Sequence, residues 1–197
     1  MIDGSESRKP ETSYPVDEMF LDRWSPRAMS GEALTEEELM TLFEAARWAP
    51  SSYNNQPWRI LYARRDTGHW DAFLGLLVEG NRAWAKDAAA LLVFVSKETF
   101  DFNGEPYPTH SFDTGAAWEN LALQASLRGL VAHGMQGFDY ERARAELRIP
   151  DGFRVEAMAA VGRPGDPARL PEKLREREAP SGRKALPEIT CEGAFNF

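Results

Sequence analysis

The chain has 197 residues, of which 43% are hydrophobic and 11% aromatic, which is enough apolar material for one folded domain or at most two small ones. This composition argues against an intrinsically disordered chain. The formal net charge of −8 disfavours nucleic-acid and anionic-membrane partners, because both require a basic face on the protein. A local group of arginines can still bind an anionic ligand.

Cysteine usage and hydropathy indicate the compartment. The single cysteine, Cys191, cannot form an intrachain disulfide, which suits a reducing environment. No apolar run approaches the ~20 residues that a membrane helix needs, and residues 1–15 lack the apolar core of a signal peptide. We therefore expect a cytoplasmic protein with no membrane partner.

The first predicted helix follows a polar N-terminal segment. Residues 1–19 predict a flexible arm or an extended segment that wraps a partner. Thr35 and Glu38 stand at the spacing of a capping box and predict the start of a helix, which Pro50 ends. The apolar stripe of this helix comprises Leu39, Leu42, Phe43 and Ala46.

Two strands, a helix and a long loop are expected next. Residues 58–65 predict a strand, and Thr67 is expected to cap a helix. The apolar face of that helix comprises Trp70, Phe73, Leu74 and Leu77. Residues 88–96 are apolar on both faces, which predicts a central strand. Residues 97–112 predict a long loop. Its aromatic side chains either form a wall of the substrate site or fill a gap beneath the loop. Its aromatic residues are Phe100, Phe102, Tyr107 and Phe112.

The second half of the chain predicts two more helices and further strands. Residues 113–130 are apolar nearly all round, which predicts a buried helix that Gly129 closes. Residues 131–138 predict a short strand or loop, 139–148 a charged helix and 155–162 another strand. Because helices and strands do not alternate as in a doubly wound sheet, we expect an α+β layered domain.

The domain boundaries follow from composition. Residues 20–163 predict the core domain. Residues 164–197 are rich in Pro, Arg, Glu and Gly and have little to bury locally. We therefore expect this C-terminal extension to lie along a second subunit.

Several common catalytic motifs are missing from the sequence. It contains no G-x-G-x-x-G turn, no phosphate loop and no G-x-S-x-G elbow. The three histidines are scattered without metal-ligand spacing, so we expect no metal site. The chemistry is therefore expected to depend on a bound cofactor.

The first group of candidate ligands is Arg23, Ser25 and Arg27. In an extended segment these alternate residues point the same way, so the two guanidinium groups and the hydroxyl can converge on one phosphate. The alternative is a solvated surface segment.

The second group is Ser51, Ser52, Asn54 and Gln56, between the first helix and the first strand. Their hydroxyls and amides can bind phosphate, sugar hydroxyls or the polar edge of a ring. The alternative, a helix stop with capping, explains one serine but not all four residues.

The remaining candidates are two glycines within residues 131–138 and two basic residues near the C-terminus. Gly134 and Gly137 allow close approach of a ligand and leave a bare backbone N–H for it, or they are simple turn residues. Arg183 and Lys184 can reach a phosphate, or they are surface charges.

The order and spacing of these groups resemble the FMN-dependent nitroreductase family over residues 20 to about 190. The matching segments are RWSPR, APSSYNNQPW, DTGAAWENLALQA, GLVAHGMQGF and GRKALPEI, of which the second is the most specific.

The resemblance implies a fold and a cofactor site. The fold would be the α+β nitroreductase sandwich, a mainly antiparallel sheet flanked by helices, in an intertwined homodimer with two FMN molecules at its interface. The backbone N–H of Gly137 would contact flavin N5, while Ser51, Ser52 and Asn54 would reach the FMN from the other subunit. The implied FMN ligands are Arg23, Ser25, Arg27, Ser51, Ser52, Asn54, Gln56, Gln136, Gly137, Arg183 and Lys184.

The resemblance also implies an activity. The expected enzyme passes hydride from NADH or NADPH through flavin N5 to a flat acceptor, such as a nitroaromatic or a quinone, in a ping-pong cycle. Two other interpretations stay open. One is reductive dehalogenation or ring fragmentation on the same fold, and the other is a non-catalytic flavin-binding dimer.

Overall fold

A four-stranded antiparallel sheet forms the centre of the computed structural model, which describes residues 12–197. The strands are β1 (Trp58–Arg64), β2 (Ala90–Lys97), β3 (Val131–Met135) and β4 (Phe153–Gly162). Their order across the sheet is β1-β2-β4-β3, and every neighbouring pair is antiparallel. The α+β class and the mainly antiparallel sheet are therefore confirmed.

Helices cover both faces of this sheet. Within residues 12–197 they are α1 (Glu18–Asp22), α2 (Glu36–Arg47), α3 (Trp70–Leu76), α4 (Glu79–Ala85), α5 (His110–Leu127), α6 (Tyr140–Glu146) and α7 (Glu172–Arg175). In the described part of the chain, no helix is long and apolar enough to cross a membrane.

The central strand β2 divides the hydrophobic core in two. Leu91 and Val93 belong to a core that includes residues of α3, α4 and α6, while Leu92 and Phe94 belong to a second core with α2 and α5. This alternation follows from the period of two along a strand. Each leucine here is fully buried and contributes about 2 kcal/mol relative to an exposed side chain.

The first long helix confirms the predicted capping box. The Thr35 hydroxyl accepts the backbone N–H of Glu38 at 3.1 Å, and the Glu38 carboxylate accepts the N–H of Thr35 at 2.8 Å. The apolar stripe is buried at Leu39 and Leu42, and α2 ends at Arg47, three residues before the expected stop.

Other predicted boundaries are wrong. Thr67 does not cap α3, because its hydroxyl donates to the Arg64 carbonyl at 2.7 Å and the helix begins after His69. Helix α4 was not predicted, and its buried Trp84 holds it on the core. The long loop ends earlier than expected, because α5 begins at His110 and so includes Phe112.

The two chain ends differ from the core. Residues 1–11 of the predicted N-terminal arm lie outside the described residues, and α1 begins at Glu18. Every residue of 179–197 is exposed. The wrapping of a partner by either segment stays a prediction.

Candidate functional site

The Arg23 side chain lies beside the Ser25 hydroxyl, as the alternation in this extended segment predicts. The guanidinium donates to Ser25 Oγ at 3.5 Å and lies 3.4 Å from the Glu119 carboxylate on α5. The Arg23 side chain is 16% exposed. A cation and a hydroxyl donor are thus brought together on one side of α5.

Arg27 contacts a different partner, Glu178 of the C-terminal extension. One oxygen of the Glu178 carboxylate accepts the backbone N–H groups of Arg27 and Ala28 at 2.6 and 2.7 Å. The other lies 3.9 Å from the Arg27 guanidinium and is buried without a hydrogen-bond donor in the described residues. Glu178 therefore holds the middle of the C-terminal extension against Arg27 and Ala28. The convergence of Arg27 with Arg23 and Ser25 stays a prediction.

A histidine joins this segment to the strand that precedes the glycine motif. His133 Nδ1 lies 2.9 Å from the Pro26 carbonyl oxygen, which can only accept, so Nδ1 carries the proton. Burial lowers the pKa of His133, against the opposing effect of this hydrogen bond, so the imidazole is neutral at neutral pH. This hydrogen bond places Pro26, and with it residues 23–27, beside β3. His133 stands three positions before Gln136 in the sequence.

Gly137 lies close against Val78 and Asn81, with little room for a side chain. Its carbonyl accepts from the backbone N–H of Val78 at 3.1 Å and from Asn81 Nδ2 at 3.0 Å. A Cβ at this position would lie 2.7 Å from Asn81 Nδ2 and 3.1 Å from Val78 Cγ2. The backbone N–H of Gly137 has no partner among residues 12–197 and is free to donate to a ligand.

A cavity of about 420 Å³ lies beside this glycine motif. Its lining residues are Phe94, Ser111, Thr114, Gly115, Trp118, Gly134, Met135, Gln136, Glu156, Ala157 and Met158. Aromatic and methionine walls with a few polar groups are typical of a pocket for a flat organic molecule.

The segment of residues 51–56 adopts a strained backbone. Tyr53, Asn54 and Gln56 have φ angles of 53°, 52° and 50°, in the left-handed region that non-glycine residues rarely adopt. The Ser51 hydroxyl accepts the N–H of Gln56 at 3.0 Å, and the Gln56 amide donates to the Asn54 carbonyl at 2.9 Å. In contrast, the Ser52 hydroxyl and the Asn54 amide have no hydrogen-bond partner in the described part of the chain, and both are accessible.

Asp113 anchors this segment, and sequence reasoning gave it no role. It is 5% exposed and accepts the backbone N–H of Ser52 at 3.0 Å, the Thr109 hydroxyl at 3.3 Å and the Tyr107 hydroxyl. Burial, with the Asp113 hydrogen bond and charge, raises the pKa of Tyr107 to about 12. The signal in the sequence was an acidic residue at the start of an otherwise apolar helix.

The aromatic loop packs mainly against residues 51–56. Phe100 stacks on Tyr107 with ring centroids 4.3 Å apart, and Tyr53 lies 5.8 Å from Phe100 and 5.7 Å from Phe102. Phe102 and Phe112 are 64% and 80% exposed. Aromatic filling accounts for Phe100 and Tyr107, while a substrate-wall role for the two exposed rings stays a prediction.

Arg183 and Lys184 make no hydrogen bond or ion pair with the other candidate ligands in the described chain. The Arg183 guanidinium donates to the Ser181 and Gly182 carbonyls at 2.8 and 3.1 Å, and the Lys184 ammonium has no partner in the described residues. The chain by itself does not bring either residue, or residues 51–56, into contact with Arg23.

Comparisons with known proteins agree on one family. The model of the Nitroreductase family matches residues 21–78 and 62–163. A solved structure described as an oxidoreductase containing FMN is 48% identical, with a TM-score of 0.91, and the match covers 95% of this chain and 96% of that one.

Two further relatives match over most of their length. A Desulfovibrio desulfuricans protein solved in complex with FMN, provisionally named a nitroreductase, is 26% identical with a TM-score of 0.71, over 94% of this chain and all of that one. A Streptomyces coelicolor protein provisionally named NADH dehydrogenase/NAD(P)H nitroreductase is 28% identical over 180 residues, 81% of this chain and 90% of that protein. On the match to its family model, this chain belongs to the Nitroreductase family.

Proposed function

We propose that this protein is an NAD(P)H-dependent FMN oxidoreductase that reduces a flat acceptor, such as a nitroaromatic or a quinone, in a ping-pong cycle. The observation that carries the proposal is the free backbone N–H of Gly137 beside an aromatic-walled cavity. FMN, when bound, would accept hydride from the nicotinamide at N5 and pass it to the acceptor. The FMN-containing relatives and the name of the Streptomyces coelicolor relative support the cofactor and the electron donor.

The residues present fit an FMN phosphate. Arg23 and Ser25 supply a guanidinium and a hydroxyl within 3.5 Å of each other, which is the donor chemistry that a phosphate requires. Arg27 would add a second cation. Arg183 and Lys184 would complete the phosphate site once the tail is seated, because they follow the anchored Glu178 by five and six residues, a reach of about 20 Å at most.

The residues of the glycine motif would orient the ring. The Gly137 N–H would donate to flavin N5, and Gln136 would lie at the adjoining edge. The Gly137 N–H shares its peptide plane with the Gln136 carbonyl, which accepts the backbone N–H of Phe138 at 3.0 Å. This N–H is therefore oriented before a ligand arrives and needs little reorganisation during the reaction. The cavity walls would exclude water from the reacting face.

The remaining donors favour a site completed in a homodimer. The free Ser52 hydroxyl and Asn54 amide, with Ser51 and Gln56 behind them, would reach the FMN of the partner subunit. Tyr53 and Phe112 are 81% and 80% exposed, and apolar side chains of this size at one chain's surface suggest an interface. The C-terminal extension of residues 164–197, in which every residue of 179–197 is exposed, would wrap the second subunit.

Anaerobic reduction tests the proposal. The purified protein is expected to be yellow, to lose its colour when NADH or NADPH is added without oxygen, and to regain it when a quinone or nitroaromatic follows. A stopped-flow series with both nicotinamides and a panel of acceptors would identify the preferred pair. Bleaching without reoxidation by any acceptor would leave a flavin-binding protein that is not this enzyme.

A further inference from the structure

A hydrogen-bonded cluster surrounds one carboxylate in the wall of the cavity. Glu156 on β4 accepts the Ser96 hydroxyl at 2.5 Å and the Ser111 hydroxyl at 2.7 Å, both through Oε1. Ser96 is fully buried at the end of β2, and Ser111 lies in the first turn of α5. Two separate elements therefore hold the same carboxylate oxygen.

A histidine extends this cluster by one step. Because the single hydroxyl proton of Ser96 goes to Glu156, the 2.7 Å contact between Ser96 Oγ and His110 Nδ1 requires the imidazole to donate. His110 Nδ1 also lies 3.5 Å from Glu156 Oε1. The two serine hydroxyls thus donate to one carboxylate oxygen and the imidazole donates to Ser96, which together fix the orientation of the carboxylate.

The second oxygen of Glu156 is free. Oε2 has no hydrogen-bond partner among residues 12–197, and the Glu156 side chain is 19% exposed. Within the described chain, no lysine or arginine lines the cavity, whose other walls include Phe94, Trp118 and Met158. A carboxylate oriented in mostly apolar surroundings favours a cation or an N–H donor and repels an anion.

The Glu156 carboxylate lies in the cavity where we expect the acceptor to bind. Glu156 lines the same cavity as Gly134, Met135 and Gln136, and Gln136 directly precedes Gly137. We propose that Glu156 selects flat acceptors that carry a cationic or N–H-bearing substituent and discriminates against anionic ones. This inference rests on the proposed function, because it names the class of acceptor that the same site takes.

Three nitroaromatics of nearly equal shape test the selection. They are para-nitrobenzylamine, which is cationic, para-nitrobenzyl alcohol, which is neutral, and para-nitrobenzoate, which is anionic. We expect kcat/KM to fall in that order. Glu156→Gln should lower the cation-to-anion ratio by about tenfold or more, since a charge-assisted hydrogen bond is replaced by a neutral one.

Matched variants separate this local effect from a change in overall charge. Glu141→Gln removes one negative charge from an exposed position in the first turn of α6 and should leave the ratio unchanged. Ser111→Ala keeps the carboxylate but removes one of its two hydroxyl donors, so it should lower the ratio by a smaller factor. An equal ratio in the wild type, Glu156→Gln and Glu141→Gln would overturn the inference.

Binding of unreactive ligands gives a second readout. Calorimetry with benzylamine and benzoate, on flavin-loaded and flavin-free protein, should show tighter binding of the amine to the wild type and loss of that preference in Glu156→Gln. Equal affinities in the wild type would contradict the role of Glu156 even if turnover is normal. Absence of flavin binding with the amine preference intact would instead contradict the proposed function.

Discussion

Replacing Asp113 tests the idea that one buried carboxylate holds the strained segment of residues 51–56 in place. In Asp113→Ala the backbone N–H of Ser52 loses its acceptor, and the Tyr107 hydroxyl, on a side chain only 1% exposed, keeps only the Ser52 carbonyl at 3.3 Å. An unsatisfied donor costs about 1–3 kcal/mol, and the weakened hydrogen bond of Tyr107 adds to the cost at Ser52, so we expect a loss of roughly 3 kcal/mol. Thr109 is exposed and can turn to water, so it adds little.

Thermal and urea unfolding, followed by circular dichroism, measure this loss. For a chain of this size, about 3 kcal/mol corresponds to a fall of roughly 6–12 °C in Tm. Hydrogen exchange should also quicken in residues 51–56, because three left-handed residues lose their anchor.

A second aspartate provides the control. Asp139 is exposed and caps α6 by accepting the N–H of Arg142 at 2.9 Å, so Asp139→Ala should cost only about 1 kcal/mol. If Asp113→Ala is no less stable than Asp139→Ala, and exchange in residues 51–56 is unchanged, the anchoring role of Asp113 is refuted.

Four further outcomes are expected. The pKa of Tyr107 is raised to about 12 from 10.0, so the unfolded state loses this proton at a lower pH than the folded state. The free energy of unfolding should therefore fall by roughly 1.4 kcal/mol per pH unit between those two pH values. In a series of urea-unfolding measurements at increasing pH, Tyr107→Phe should remove this component. Gly137→Ala should destabilise by about 1–3 kcal/mol through its clash with Asn81, and Asn81→Ala should recover part of the loss in a double-mutant cycle. Arg23→Ala should weaken FMN binding but not riboflavin binding, with the oligomer unchanged; equal losses for both flavins would count against a phosphate role. Deleting residues 185–197 should weaken dimerisation, and an unaltered sedimentation profile would contradict the wrapping of a partner by the tail.

Local patterns predicted the elements that depend on neighbours in the sequence. The capping box of Thr35 and Glu38 needs only residues three positions apart, and the structure confirms both of its hydrogen bonds. The apolar run of 88–96 predicted the central strand, because a strand covered by helices on both faces has no polar side. The α+β class followed from the mixture of these elements.

Contacts between distant residues could not be predicted in the same way. Asp113 meets the Ser52 N–H across 61 positions of sequence, and Glu178 meets Arg27 across 151. Helix α4 has a glycine at Gly80 and depends on the burial of Trp84 rather than on helix propensity, so periodicity gave no sign of it.

The same distinction between local and long-range contacts applies to the candidate site. The alternation of residues in an extended segment predicted that Arg23 lies beside Ser25, and the structure has this contact. The backbone N–H predicted to be available at Gly137 has no partner in the described chain. Of the four candidate ligands in residues 51–56, Ser51 and Gln56 bond locally, while the side chains of Ser52 and Asn54 have no partner in the described chain. The partners of those two are expected on the FMN of a second subunit, which no pattern within one chain can specify.

Dual-wavelength sedimentation velocity tests the central claim, an FMN site shared by two subunits, most directly. Absorbance is followed in the protein band and in the visible flavin band during the same run. We expect the flavin signal to sediment with a dimer, at one FMN for each chain. A dimer or monomer that carries no flavin signal after reconstitution with FMN, or flavin that sediments with the monomer, would contradict it.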